Sequence, residues 1–383
     1  VAMTFGGTRQ QLTQYQPTDS FFAFQTELVT LELKNSSGAL IDAGTGSYYA
    51  GGWHNLGDTS SGKITLEMLP GTYSFAMVYQ GERNQKSQNI GTNPTVVFQT
   101  EAVTIRLKDH SGNPLDGGPA SYYTSGWHDL GNTSGGQVTL EMLPGTYSFA
   151  MVYQGERNQK SQNVESDPNV VFTTTEVTVA LTSSTNDSLT GTASYYASGW
   201  HDLGDTSSGS ITVEMLPGTY AFAMVYQGER NQKSQDIGAD PAVVFQTTLT
   251  TIKLVDHTGT TGLSGGSASY YASGWHTAGV TDGSGQVQLE MLPGSYSFAM
   301  IYNGSRQQLN GQNVASDIVF TTGQVHDTSG TATTYYAGGW KTFSQNMELL
   351  PGTYTFHFTN SAYNGSYGID AGTVNDIPNP PAA

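Results

Sequence analysis

The run "AVTIRL" at residues 102–107 alternates strictly, with Val103, Ile105 and Leu107 on one side and Thr104 and Arg106 on the other. A period of two marks a strand with one buried face. "QVTLEM" repeats the pattern with Val138, Leu140 and Met142, and "GTYSFAMVY" does so with Tyr147, Phe149, Met151 and Tyr153. Between these runs lie "DHSGNPLDGG" and "GNTSGG". Their Gly, Asn, Asp and Pro supply the backbone angles that tight turns require. No window carries a helical stripe, so the pattern predicts short strands joined by turns, folded as a small antiparallel β-sandwich.

The same pattern returns along the chain. Phe24, Phe98, Phe172, Phe245 and Phe320 sit in "VVFQT"-like contexts spaced 74, 74, 73 and 75 residues apart. Trp53, Trp127, Trp200, Trp275 and Trp340 follow in "YY..GW", and five copies of "LPG" carry Pro70, Pro144, Pro217, Pro293 and Pro351. "AMVYQGERNQKSQ" occurs letter for letter at 76–88, 150–162 and 223–235. The expected fold class is therefore all-β, a linear tandem array of five small antiparallel sandwiches. Its divisions are an N-terminal part-repeat at 1–23, repeats at 24–97, 98–171, 172–244 and 245–319, and a shortened fifth repeat with a tail at 320–383.

"LKDHSGNPLDGGPASYY" followed by "TSGGQVTLEMLPGTYSFAM" resembles the transthyretin-like sandwich repeats of microbial surface proteins, the CnaB-like and carboxypeptidase-regulatory-like modules. The resemblance covers the first four repeats and implies an extracellular stalk, adhesin or surface-layer setting. It also implies internal Lys–Asn isopeptide bonds assisted by a Glu, but the residues depart from that pattern. Lys34 and Lys108 end the first strand of their repeats, whereas the third repeat has Thr182 there and Lys253 falls two places early. Glu67, Glu141, Glu214, Glu290 and Glu348 precede each "LPG", yet by alternation they point away from the core.

The ends of the array differ from its middle. Residues 1–26 align without a gap to 75–100, so the chain starts inside a strand, with Val1, Met3 and Phe5 on one face. The fifth repeat reads as deficient, because "QVHDTSGTATTYY" lacks a "VTIRL" strand and no "VVFQT" follows "YGID". A sheet short of a strand accepts one from elsewhere. The expectation is a surface-filament subunit joined head to tail, the part-repeat of one copy completing the last repeat of the next. Alternatives are a self-capped stalk and a piece of a longer array.

Charge and composition narrow the partners. A net charge of −17 disfavours nucleic acid, and the absence of cysteine removes disulfides and thiolate metal sites. No stretch approaches the roughly 18 apolar residues of a membrane span. Expected partners are copies of the chain and possible surface glycans. The aromatic sets Tyr48, Tyr49, Trp53; Tyr122, Tyr123, Trp127; Tyr195, Tyr196, Trp200; Tyr270, Tyr271, Trp275; and Tyr335, Tyr336, Trp340 are candidate sugar platforms. The competing role for each Trp and one Tyr is core filling. His54, His128, His201 and His276 give way to Lys341 in the fifth repeat, against a shared acid–base role. "GDTSSG" lacks the clustered carboxylates of a calcium site, so no metal and no cofactor is expected. "GERNQKSQ" places Glu82, Arg83 and Lys86 together and reads as a hairpin end or an edge strand whose Lys discourages indiscriminate pairing. Sequons at Asn35, Asn132, Asn186, Asn303 and Asn364 permit glycosylation. With no nucleophile motif and every polar candidate in near-copies, an enzyme is not expected.

Overall fold

The computed structural model describes residues 1–13, 22–359 and 364–378. These residues form two compact units, Val1–Glu176 with Glu214–Pro217, and Val177–Val213 with Gly218–Ala383. All regular structure among them is strand.

The first unit opens with a hairpin of β1 (Ala2–Phe5) and β2 (Thr8–Gln11). The first sandwich follows with β3 (Glu27–Lys34), β4 (Thr45–Tyr49), β5 (Trp53–Asp58), β6 (Lys63–Met68), β7 (Thr72–Tyr79), β8 (Glu82–Asn89) and β9 (Thr95–Gln99). One sheet has the order β6-β3-β9 and the other β5-β4-β7-β8. Hairpin-connected strands pair antiparallel, but β3 and β9 run parallel, with Leu31 opposite Val96 and Leu33 opposite Phe98. Alternation in the sequence fixes faces and leaves strand direction open, so this parallel pair is a structural addition to the expected sandwich. The inward faces deliver Val29, Leu31 and Leu33 from β3 and Tyr73, Phe75 and Met77 from β7 to one core with Tyr48, Val96 and Phe98. Strands Glu101–Lys108 through Asn169–Thr173 repeat both sheets in the same order.

In three of the cores a leucine of another repeat joins the cluster. Leu143, from the second "LPG" segment, is buried in the first repeat's cluster, and Leu216 is buried in the second repeat's. The tyrosine four residues on donates its hydroxyl to that leucine's carbonyl, Tyr147 to Leu143 at 2.7 Å, which pins the segment. In the second unit Leu350 is likewise part of the fourth repeat's cluster, with Tyr354 bonded to its carbonyl.

The recurrent thirteen residues are the end of β7, a two-residue turn and most of β8. Gln80 and Gly81 have φ of 52° and 79°, the left-handed pair of a type I′ hairpin. Glycine is required at 81, because a Cβ there would lie 2.5 Å from the Thr124 hydroxyl of the second repeat. The turn is thus seated against its neighbour, where the Tyr122 hydroxyl meets the Gln80 carbonyl at 3.4 Å. The β1–β2 hairpin sits on the first repeat in the same manner. Tyr48 donates to the Gly6 carbonyl at 2.9 Å, and Gly7 lies beside Ala50 and His54. Val1, Met3 and Phe5 are 61%, 45% and 44% exposed on this hairpin.

The second unit corrects the reading of the fifth repeat. Gly323–Asp327 pairs antiparallel with Met347–Leu349 and parallel with Val374–Ile377, beside a four-stranded sheet ending in Gly365–Ile369. Both strands expected to be missing are present. Their sequences lack the apolar alternation of the other repeats because each sends few apolar groups inward: Val325 from one, Ile377 from the other. Phe343, Phe358 and Tyr367 make up the lost volume, stacking edge-on against Phe356 or one another.

Replacing Leu143 by Ala is expected to cost about 2–5 kcal/mol, as for other fully buried leucines. Denaturant unfolding followed by tryptophan fluorescence tests this, and a change below about 0.5 kcal/mol would show that the first core does not depend on the second "LPG" segment.

Candidate functional sites: repeat joints and an aromatic set

Alternation turns the glutamate before each "LPG" away from its own core, and four of the five meet the turn of another repeat. In the first unit, Glu141 accepts from the Ser36 amide at 3.0 Å, the Ser36 hydroxyl at 2.7 Å and the Thr100 hydroxyl. Glu214 accepts from the His110 amide at 3.3 Å, the His110 ring and the Thr174 hydroxyl. In the second unit, Glu290 meets Ser184 and Thr247, and Glu348 meets His257 and Thr322. One carboxylate therefore satisfies a turn amide, a turn side chain and the threonine that links two repeats. Such charge-assisted bonds are about twice as strong as neutral ones. Glu67 is exposed and forms no side-chain hydrogen bond among the described residues.

Partial burial pushes the Glu141 and Glu290 carboxyls up, but their hydroxyl and amide donors outweigh it and hold both below the ordinary value of 4.5. The bond to Glu214 raises the His110 imidazole above its ordinary 6.5. Carboxyls with a depressed folded value stabilise above the unfolded value, and that stability is lost as pH falls through the folded one.

The aromatic candidates divide into two groups. Tyr48, Tyr122, Tyr195, Tyr270 and Tyr335 are buried, whereas Tyr49, Tyr123, Tyr196, Tyr271 and Tyr336 are exposed. Each tryptophan is also outside the core, 42% to 51% exposed, so the core-filling role falls to the first tyrosine alone. The reason is register: Trp53 is paired with Tyr49 at the outer edge, with ring centroids 5.6 Å apart. The guanidinium of Arg83 lies 3.9 Å over the Trp53 ring, as does Arg157 over Trp127 and Arg230 over Trp200. The segment is the hairpin end and edge strand that its sequence suggests, with Arg83 in a cation–π stack and Lys86 turned to the Val97 carbonyl. In the second repeat, Trp127, Arg157, Ser121, Val152 and Asp129 line a shallow open depression. The histidines serve as packing groups: His54 stacks on Tyr48 at 4.9 Å and bonds to the Ala50 carbonyl.

Other candidates are scattered. Asn132, Asn186 and Asn364 are exposed. Asn35 closes its own turn through Oδ1, and Asn303 donates to the Glu348 carbonyl at 3.0 Å inside a joint. Lys34 pairs with Glu32 at 2.7 Å. Among the described residues, His110, Glu176 and Glu214 are the one group of three His, Asp or Glu side chains whose donor atoms lie within 4.8 Å of one another, a set no local motif announces.

Glu141→Ala is expected to lower stability by about 1–2 kcal/mol, and Glu67→Ala by less than about 0.5. The wild-type unfolding midpoint should fall on acidification below pH 4.5, and part of that slope should vanish in the Glu141 variant. Equal effects of the two substitutions, read by denaturant titration across pH, would remove the joint role of the carboxylate.

No family model matches the sequence, and no curated protein matches it. Among solved structures, the chain is similar to the Bacillus anthracis TIE protein, with 13% identity, coverage of 80% of this chain and 75% of that one, and a TM-score of 0.21. It is similar to BcpA, the major pilin subunit of Bacillus cereus, with 10% identity, coverage of 92% and 99%, and a TM-score of 0.22. The full-length major pilin RrgB from Streptococcus pneumoniae gives 8% identity, coverage of 76% and 99%, and a TM-score of 0.22. Superpositions of this quality assign neither a family nor a function to the chain.

Proposed function

We propose that this chain is an extracellular structural protein whose repeats provide length and spacing, and that it serves as the subunit of a surface filament. The observation that carries this reading is the joint. What recurs is a glutamate, a leucine and a hairpin tip committed to holding one repeat on another, while the described depressions are shallow and open. An acidic surface suits a hydrated polymer that does not bundle. Among the described residues no helix is long and apolar enough to cross a membrane.

Head-to-tail association in this reading uses the N-terminal part-repeat. The fifth repeat has its own seven strands, so it is not the recipient of a donated strand. The β1–β2 hairpin is a two-stranded sheet, whereas its counterpart β7–β8 continues into β4 and β5. The edge of β1 away from β2, which pairs with no other strand among the described residues and exposes Val1, Met3 and Phe5, is the place where a strand of another copy adds. A second reading is favoured by the exposed Tyr–Trp pairs, whose rings offer apolar area for stacking on sugars even though an arginine covers one face of the tryptophan.

Electron microscopy of the full chain beside one lacking residues 1–12 tests the polymer. Filaments from the first and single particles from the second are expected; single particles from both, or filaments from both, would overturn assembly through the hairpin. For the second reading, binding to soluble polysaccharides should fall about fivefold or more in Trp127→Ala, taking the roughly 1–3 kcal/mol that one base–aromatic stack is worth as the scale for a stacked ring. Unchanged binding would remove the tryptophan from that role.

A further inference from the structure

We propose that His110, Glu176 and Glu214 form a binding site for a first-row divalent cation, of which zinc is the reference ion, and that the bound ion locks the joint they share. His110 Nδ1 lies 3.8 Å from Glu176 Oε2 and against Glu214 Oε1, and the three donor atoms fall within 4.8 Å of one another. Zinc bound about 2.0–2.1 Å from nitrogen and oxygen needs tetrahedral donors roughly 3.3 Å apart. Donor atoms within 4.8 Å of one another, one pair of them at 3.8 Å, are close to that spacing. One imidazole and two carboxylates leave the fourth position for water, and the nitrogen ligand favours a first-row metal over calcium.

The surroundings hold the ligands in place. The Ser111 hydroxyl lies 2.8 Å from His110 Nε2, which fixes the ring with Nδ1 toward the carboxylates. The Thr174 hydroxyl and the His110 amide orient Glu214. The ion would displace a proton from Nδ1 and neutralise two carboxylates that otherwise repel each other across a single imidazole.

The other joints of the same chain act as controls. Where His110 stands, the others have Ser36, Ser184 and His257. At the place of Glu176, the second residue beyond the linking threonine, they have Ala102, Leu249 and Gln324. Only the Glu214 joint combines an imidazole with two carboxylates. The Glu348 joint has everything except the second one, with His257 Nδ1 2.7 Å from Glu348. Duplication alone gives no reason for an exposed carboxylate at 176.

Calorimetric titration of the metal-free full chain with zinc chloride tests the site, and it stands apart from polymerisation. One saturable site per chain is expected, with a zinc-dependent rise in unfolding temperature. Glu176→Gln, which reproduces the Gln324 arrangement at an exposed position, should weaken the site at least roughly tenfold and abolish that rise. His110→Ser, the residue type found at 36 and 184, should remove the site, and His257→Ser should leave it intact. Circular dichroism of the zinc-free variants checks that each is folded. Absence of stoichiometric binding, equal affinity in wild type and Glu176→Gln, or loss of binding in His257→Ser would each overturn the assignment.

Discussion

A carboxylate that leaves its own sandwich to close the turn of another is the contact on which this molecule depends. Each repeat is small, lacks a disulfide and buries a core of modest size, the regime in which a domain needs outside support. The "LPG" segment supplies it twice over. Its glutamate satisfies the turn amide and the linking threonine, and its leucine enters the other repeat's core. Because both groups are neighbours in sequence, one short segment fixes polar and apolar contacts together. Stability in such an array is a sum of repeat and nearest-neighbour terms.

Sequence pattern recovers the strands where both faces obey alternation, as in Val103, Ile105 and Leu107, because burial on one face leaves a direct trace. It fails in the fifth repeat, where Val325 and Ile377 are the sole inward apolar residues of their strands and aromatic groups elsewhere fill the space. It also fails for tryptophan. Composition assigns a large apolar ring to the core, but pairing with an exposed tyrosine and stacking under an arginine hold it at the surface. The arginine signal was present in "GERNQKSQ", two residues after the hairpin glycine, yet no local rule links it to a ring some 30 residues earlier.

The glutamates illustrate a further limit. Alternation correctly turns Glu141 and Glu214 away from their own cores, but not toward Ser36 or His110, more than 100 residues away in sequence. A site made of three such distant residues is invisible to motif reading. The same duplication that makes the repeats alike makes their differences informative. Glu176, Gln324, Ala102 and Leu249 are each the second residue of the corresponding strand, and the joints differ there and at the Ser or His of the turn.

The parallel pairing of β3 with β9 has a mechanical consequence. Chain enters a repeat at the start of β3 and leaves it at the end of β9, and with Thr30 opposite Thr95 and Lys34 opposite Gln99 these points lie at opposite ends of one ladder. Tension on the backbone therefore drags the two strands lengthwise past each other, so their hydrogen bonds must fail together and not one at a time. The corresponding parallel pairs at 101–108 with 169–173, 175–182 with 242–246, 248–255 with 318–321 and 323–327 with 374–377 bear load in the same way. Within a repeat, the ladder that joins the entering strand to the leaving one is therefore loaded in shear along its whole length.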